Sequence, residues 1–130
     1  MSQQRILIVD DYDDCRVILR YRLQRLGTFD ILEATDGQEA LRIVARELLN
    51  LIIMNLGLPV LDGWEATRRI RAMAPPARDV PIMAYTAYAL PGHEQRARQA
   101  GCDEYLTKPV LDPRSFQQAV TRLLARGRTP

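Results

Sequence analysis

Histidine and cysteine are scarce in this chain: one histidine, His93, and two cysteines, Cys15 and Cys102, in 130 residues. Neither cysteine belongs to a Cys-x-x-Cys pair, and His93 has no second ligand beside it, so a histidine/cysteine metal centre is excluded. A disulfide framework is excluded as well. The cysteines read as reduced, small, mostly buried side chains, Cys15 on the apolar face of a helix and Cys102 after a helix-stopping Gly101. His93, between Gly92 and Glu94, reads as a surface residue. Also missing is any apolar run long enough to span a membrane, and Met1–Gln4 lead straight into a strand, leaving no room for a signal peptide. A cytoplasmic location without membrane contact is the expectation. The net charge is only +2, and the arginines are scattered along helices, so no nucleic-acid footprint is present. There is no internal repeat, no Gly-x-Gly-x-x-Gly run and no Walker-type loop.

What is present is a globular composition, 47% hydrophobic and 26% charged, with enough chain for one core. Arg5–Val9 is a continuous apolar run that stops on Asp10-Asp11, the pattern of a parallel strand buried on both faces. Asp13 or Asp14 is placed to cap the helix that follows, with Cys15, Leu19, Leu23 and Leu26 on its inner face and Gly27 closing it. Thr28 to Ala34 is a second strand. The next helix buries Ala40, Leu41, Val44 and Leu48, and Leu51 to Asn55 is the third strand. A loop punctuated by Gly57, Pro59 and Asp62-Gly63 precedes a helix from Trp64 to Met73, with Trp64, Thr67, Ile70 and Arg71 along one side.

Val80 to Tyr85 is the fourth strand, ending on Thr86, and a helix runs from about Pro91 to Gly101. Glu104 to Thr107 is the fifth strand, followed by Lys108-Pro109. Asp112-Pro113 opens a last helix that buries Phe116, Ala119, Val120, Leu123 and Leu124. Five strand–helix alternations with short connections mean an α/β, doubly wound, five-stranded parallel sheet with helices on both faces. One domain is expected across 1–130, with its core at about 5–124 and a fraying tail at 125–130.

Ligands of such sheets bind outside the carboxyl ends of the strands. Those ends deliver Asp10 and Asp11, Asn55, Thr86 and Lys108. Singly, each has a plain explanation as a helix start, a strand end or a turn. Jointly, they describe a metal-assisted phosphoryl pocket. Mg²⁺ takes oxygen ligands and keeps several waters, so Asp10 and Asp11 with the carbonyl of Gly57 suffice. Thr86 and Lys108 suit the remaining phosphoryl oxygens. A carboxylate placed to attack phosphorus is lacking.

Ile8-Val9-Asp10-Asp11, Met54-Asn55-Leu56-Gly57-Leu58-Pro59, Asp62-Gly63, Tyr85-Thr86-Ala87, Ala100-Gly101-Cys102-Asp103-Glu104-Tyr105 and Lys108-Pro109 together resemble the response-regulator receiver domain of two-component systems. The similarity runs in order from about Arg5 to Leu124. It implies a flavodoxin-like signalling domain, a stand-alone response regulator of a phosphorelay and not an enzyme. Asp10 and Asp11 would be its acidic metal pair, with Asp11 the direct ligand, and Asn55 and Gly57 would complete the Mg²⁺ site. Thr86 would be the switch hydroxyl, Lys108 the phosphate-binding lysine and Tyr105 the switch aromatic, with a cis bond at Lys108-Pro109. The implied partners are a sensor histidine kinase or phosphotransfer protein and a downstream protein on the helix 4–strand 5–helix 5 surface, where Tyr88 and Leu90 are the nearby apolar residues.

One position departs from that pattern. The family's phosphoacceptor is an aspartate, and Asn55 stands in its place. An amide is no nucleophile for making an aspartyl phosphate. The acids and lysine of the pocket sum to about −1, so Mg²⁺ binding is expected to be weakened. An engineered Asp→Asn change and a natural pseudo-receiver that signals by binding alone both fit this sequence; a third account moves the chemistry to Asp10 or Asp11. The competing reading from another class is a small Mg²⁺-dependent phosphohydrolase with an aspartyl nucleophile. Against it, the acids are adjacent where Asp-x-Asp is expected, and no cap segment encloses a substrate.

Overall fold

In a computed structural model, residues 3–87, 90–108 and 113–126 are described. The chain alternates as β1 (Arg5–Val9), α1 (Asp13–Gln24), β2 (Asp30–Ala34), α2 (Gly37–Arg46), β3 (Leu51–Met54), α3 (Gly63–Arg71), a 3₁₀ turn (Ala77–Asp79), β4 (Ile82–Thr86), α4 (His93–Ala100), β5 (Glu104–Thr107) and α5 (Pro113–Arg126). All strands are parallel, in the order β2-β1-β3-β4-β5. This is the doubly wound sheet that the alternation of apolar runs implies. Strands β3 and β4 are buried at every position because helices cover both faces. On one face α2, α3 and α4 bury Ala40, Ile43, Val44, Trp64, Ile70 and Ala97 against Leu7, Val9, Ile52 and Met54. On the other, α1 and α5 bury Leu19, Leu23, Phe116, Ala119 and Val120 against Ile6, Ile8, Ile53 and Tyr85.

Several local expectations are corrected. Tyr12, not Asp13 or Asp14, is the N-cap of α1, and both aspartates lie in its first turn. Tyr12 gives its N–H to Asp10 Oδ1 at 3.0 Å, so the acid of the preceding loop does the positioning. Helix α1 ends at Gln24 with Arg25 still in right-handed geometry, so Gly27 is not its closing residue. Helix α2 buries Ile43 alongside Ala40 and Val44, whereas Leu48 is 65% exposed, because the helix stops at Arg46 and Leu48 lies beyond it. Cys15 is only half-buried. The expected cis bond at Lys108-Pro109, the Asp112 cap, Tyr88 and the end of the tail lie outside the described residues.

Two close approaches hold the loop after β3. Asp62 caps α3 by accepting from the Glu65 N–H at 2.8 Å. Directly after it, a Cβ on Gly63 would stand 2.3 Å from the Asn55 carbonyl oxygen and 2.7 Å from Leu56 Cα. Only a residue without a side chain lets α3 start this close to the end of β3. We expect Gly63→Ala to destabilise the fold by about 1–3 kcal/mol, the cost of forcing a methyl into packed backbone. Chemical denaturation reads this as a fall in midpoint at unchanged slope; an unchanged midpoint would refute the close packing.

Cys102 is buried beside Thr67, its Sγ 3.9 Å from Oγ1. Burial pushes its thiol up to about 11. The neutral thiol is therefore favoured by folding, and the stability it lends is lost as pH rises from about 9 towards 11. In native protein at pH 8 a thiol reagent should modify one cysteine, Cys15, quickly. Cys102 should react only as the chain opens. Two equally fast thiols would contradict this.

Candidate functional site

Register decides which side chains meet. Val9 pairs with Ala34 and Met54, so β1, β2 and β3 end level at one edge of the sheet, while β4, whose Ala84 pairs with Met54, runs two residues further to Thr86. The ladder continues one residue further: Asp10 N donates to Ala34 O at 3.0 Å and Asn55 N to Val9 O at 2.9 Å. At the outer strand Lys108 N donates to Thr86 O at 2.7 Å. Four residues that are far apart in sequence, Asp10, Asn55, Thr86 and Lys108, thus reach one rim, with Asp11 next to the first of them.

Asp10 is 1% exposed, and a carboxylate so buried needs a partner. Lys108 Nζ supplies it at 2.6 Å from Oδ2, while Oδ1 holds the Tyr12 N–H. The same ammonium lies 3.6 Å from Cys15 Sγ and 5.4 Å from the centre of the Tyr85 ring. With both Asp10 oxygens engaged, half-exposed Asp11 is the acid turned towards Asn55. Its Oδ1 accepts from Asn55 Nδ2 at 3.4 Å, at the long end of the hydrogen-bond range. Asn55 and Thr86 are both buried, and Gly57 lies in the exposed part of the loop that follows.

The sequence reading of this rim missed Cys15 and Arg16. Arg16 donates from Nη1 to the Asp10 carbonyl at 2.8 Å and from Nε to Glu33 at 2.8 Å. Arg20 joins Glu33 from the next turn of α1. Burial alone would raise the Glu33 carboxyl, but hydrogen bonds and charge from both arginines together hold it below the usual glutamate range. The i, i+4 spacing of Arg16 and Arg20 was the available signal.

A family model described as the response regulator receiver domain matches residues 6–121. The chain belongs to that family. Receiver domains are signalling domains of two-component systems. This one is 39% identical over 113 residues to an uncharacterised 14.6 kDa protein of Leptolyngbya boryana, covering 87% of this chain and 84% of the relative. It is 32% identical over 112 residues to the polar-differentiation response regulator DivK of Brucella anthropi, covering 86% and 89%. Several other relatives are longer, and the chain spans about half their length.

Among solved structures it resembles the receiver domain of the sensor histidine kinase PA1611 from Pseudomonas aeruginosa, with a TM-score of 0.85, 37% identity, and coverage of 95% of this chain and 99% of that one. That receiver has a magnesium ion coordinated in its active site cleft. Here no three acidic, histidine or cysteine side chains gather as a metal cage among the described residues. Two carboxylates at one rim, with an amide and a loop carbonyl, still suit a hard cation that retains its waters. Among the described residues no helix is long and apolar enough to cross a membrane.

Proposed function

We propose that this receiver takes up no phosphoryl group and works through protein–protein contacts. The observation that carries this reading is Asn55 beyond the end of β3, next to Asp11 and close to an Asp10–Lys108 pair. In-line attack on phosphorus needs a carboxylate at that position. Asp10 is a poor substitute, since both its oxygens are already engaged, and Asp11 lies to one side of the strand end.

Asp11 is the direct Mg²⁺ ligand in this reading. Asp10, Asn55 and the Gly57 carbonyl would be the other groups to hold the ion, and the missing charge would weaken the site. The ion's contribution would be to neutralise phosphoryl oxygens. Thr86 and Lys108 are the groups left to bind such oxygens, and Tyr105 and Thr86 mark the surface whose two arrangements would be read out. A histidine kinase or phosphotransfer protein is the upstream contact, and the α4–β5–α5 face the downstream one. A cytoplasmic location accords with this role.

The test is intact-mass measurement after incubation with a small-molecule phosphodonor and Mg²⁺. We expect no added mass. A gain of one phosphoryl group on the chain as it stands would overturn the proposal and point to Asp10 or Asp11. Steady turnover of an aryl phosphate would favour the phosphohydrolase instead.

A further inference from the structure

Helix α1 is apolar on two sides. Inward it buries Leu19 and Leu23. Outward it leaves Val17, Ile18 and Tyr21 exposed at 65%, 50% and 59%. Among the described residues no other helix exposes a large apolar side chain. The outward positions of α2, α3 and α4 hold Arg42 and Arg46, Arg68 and Arg69, and Gln95 and Gln99 instead. Three apolar side chains side by side on one helix form a patch, and a helix with apolar groups on opposite sides suits burial on both.

One charge of each sign frames this patch. Asp14 lies one turn before Ile18, and Arg25 lies one turn after Tyr21, both exposed. Arg25 follows the last turn of α1 in right-handed geometry, so it continues the same stripe. Asp14, Ile18, Tyr21 and Arg25 fall at i, i+4, i+7 and i+11, the spacing of a single seam along a helix. The outer pair, Asp14 and Arg25, and the inner pair, Ile18 and Tyr21, share one midpoint, between Leu19 and Arg20. A two-fold axis through that point lays a second α1 antiparallel on the first. Asp14 then meets Arg25 of the other copy at both ends, and Ile18 meets Tyr21 on both sides of the axis. We propose that this seam joins two copies of the chain in an antiparallel, isologous dimer through α1.

Charge complementarity selects a second copy as the occupant, because the seam carries its own complement in reverse order. A parallel arrangement would set Asp14 on Asp14 and Arg25 on Arg25, and like charges facing each other oppose it. The antiparallel arrangement also opposes the two helix dipoles. Arg25 is already drawn along the seam: its Nη1 donates to the Tyr21 hydroxyl at 3.3 Å, and its guanidinium carbon lies 5.7 Å from the centre of that ring. The apolar centre supplies the attraction, and the terminal charges, worth little in water, fix direction and register. This inference does not depend on the reading of Asn55.

Sedimentation equilibrium of the chain at low salt, from about 10 µM to 1 mM, measures the contact. One helix face offers less than the roughly 800 Å² per partner of a standard interface, so association is expected to be weak, with a dissociation constant of about 0.1 mM. The mean mass should climb from that of one chain towards that of two. Ile18→Glu and Tyr21→Glu should each weaken association about tenfold or more, by placing a charge in the apolar centre. Asp14→Arg and Arg25→Asp should each weaken it about three- to tenfold, and the chain carrying both should regain it, since the exchanged charges again meet their opposites. Amide shifts that move with concentration should map to residues 14–25. A mass that stays at one chain throughout overturns the proposal and leaves the seam to a different protein. Association that survives both glutamate substitutions, or whose amide shifts map elsewhere, overturns it as well. So does a folded double exchange that does not regain association. If the exchanges lose the far-UV helix signal, the glutamate variants and the shift map decide alone.

Discussion

Replacing one atom group, Asn55→Asp, should allow uptake of a single, acid-labile phosphoryl group where none is expected on the parent chain. The other groups are already at the rim: Asp11 beside position 55, Thr86 at the end of β4, and Lys108 on Asp10. What the substitution adds is an anionic oxygen on the residue that follows β3. It should also change the metal dependence. The present amide donates towards Asp11 at 3.4 Å. A carboxylate in its place sets two negative charges about that far apart, a repulsion of a few kcal/mol at an effective dielectric near 20, less where Asp11 meets solvent.

The metal-free variant should therefore melt below the parent, and millimolar Mg²⁺ should raise its melting temperature more, since an ion that binds only the folded form stabilises it by mass action. Thermal melts of both chains with and without Mg²⁺, alongside mass spectrometry with a phosphodonor, check the two halves separately. A variant that stays unmodified while binding Mg²⁺ well would show that the rim lacks more than a nucleophile.

The second large effect is expected at Arg71, far from that rim. Its guanidinium donates to the Gly101 carbonyl from Nε at 2.9 Å and from Nη2 at 2.7 Å, to the carbonyls of Arg78 and Val80, and to Asp103 Oδ2 at 2.9 Å. It thereby closes the end of α4, the chain entering β4 and the turn before β5 with one side chain. Asp103 in turn accepts the Ile82 N–H at 2.9 Å. Arg71→Met keeps much of the stem and removes the five donors. At least three carbonyls and one acid then lose a charged partner in a half-buried place. Hydrogen bonds to charged groups contribute about 1.5–3 kcal/mol each, but they share one loss here and water reaches some of the acceptors. A cost of about 3 kcal/mol is expected, a fall of about 10 °C in melting temperature for a domain this size. A change below 1 kcal/mol would mean that water replaces the guanidinium at every acceptor.

Neither substitution is equally legible from sequence. Asn55 stands out because a strand of Leu51–Met54 ends on it, and a strand end is where an open sheet presents its chemistry. Arg71 was legible only as a residue on the inner side of α3. That its fork would meet three backbone carbonyls and an acid depends on how α3, α4 and the turn before β5 pack. His93 shows the same division. Its polar neighbours in sequence suggested a surface residue, and only the approach of α3 puts the indole of Trp64 against it.

Alternating apolar runs and helical periodicities were enough to determine the element order, the parallel sheet and the rim on which Asp10, Asp11, Asn55, Thr86 and Lys108 would gather, because strand ends in a parallel sheet must share an edge. Pairwise contacts were a different matter. The Lys108 salt bridge to Asp10, the Arg16 brace behind it, the exposure of Leu48 and the meeting of His93 with Trp64 all depend on the distance and rotation between packed elements, and periodicity along one chain does not encode those.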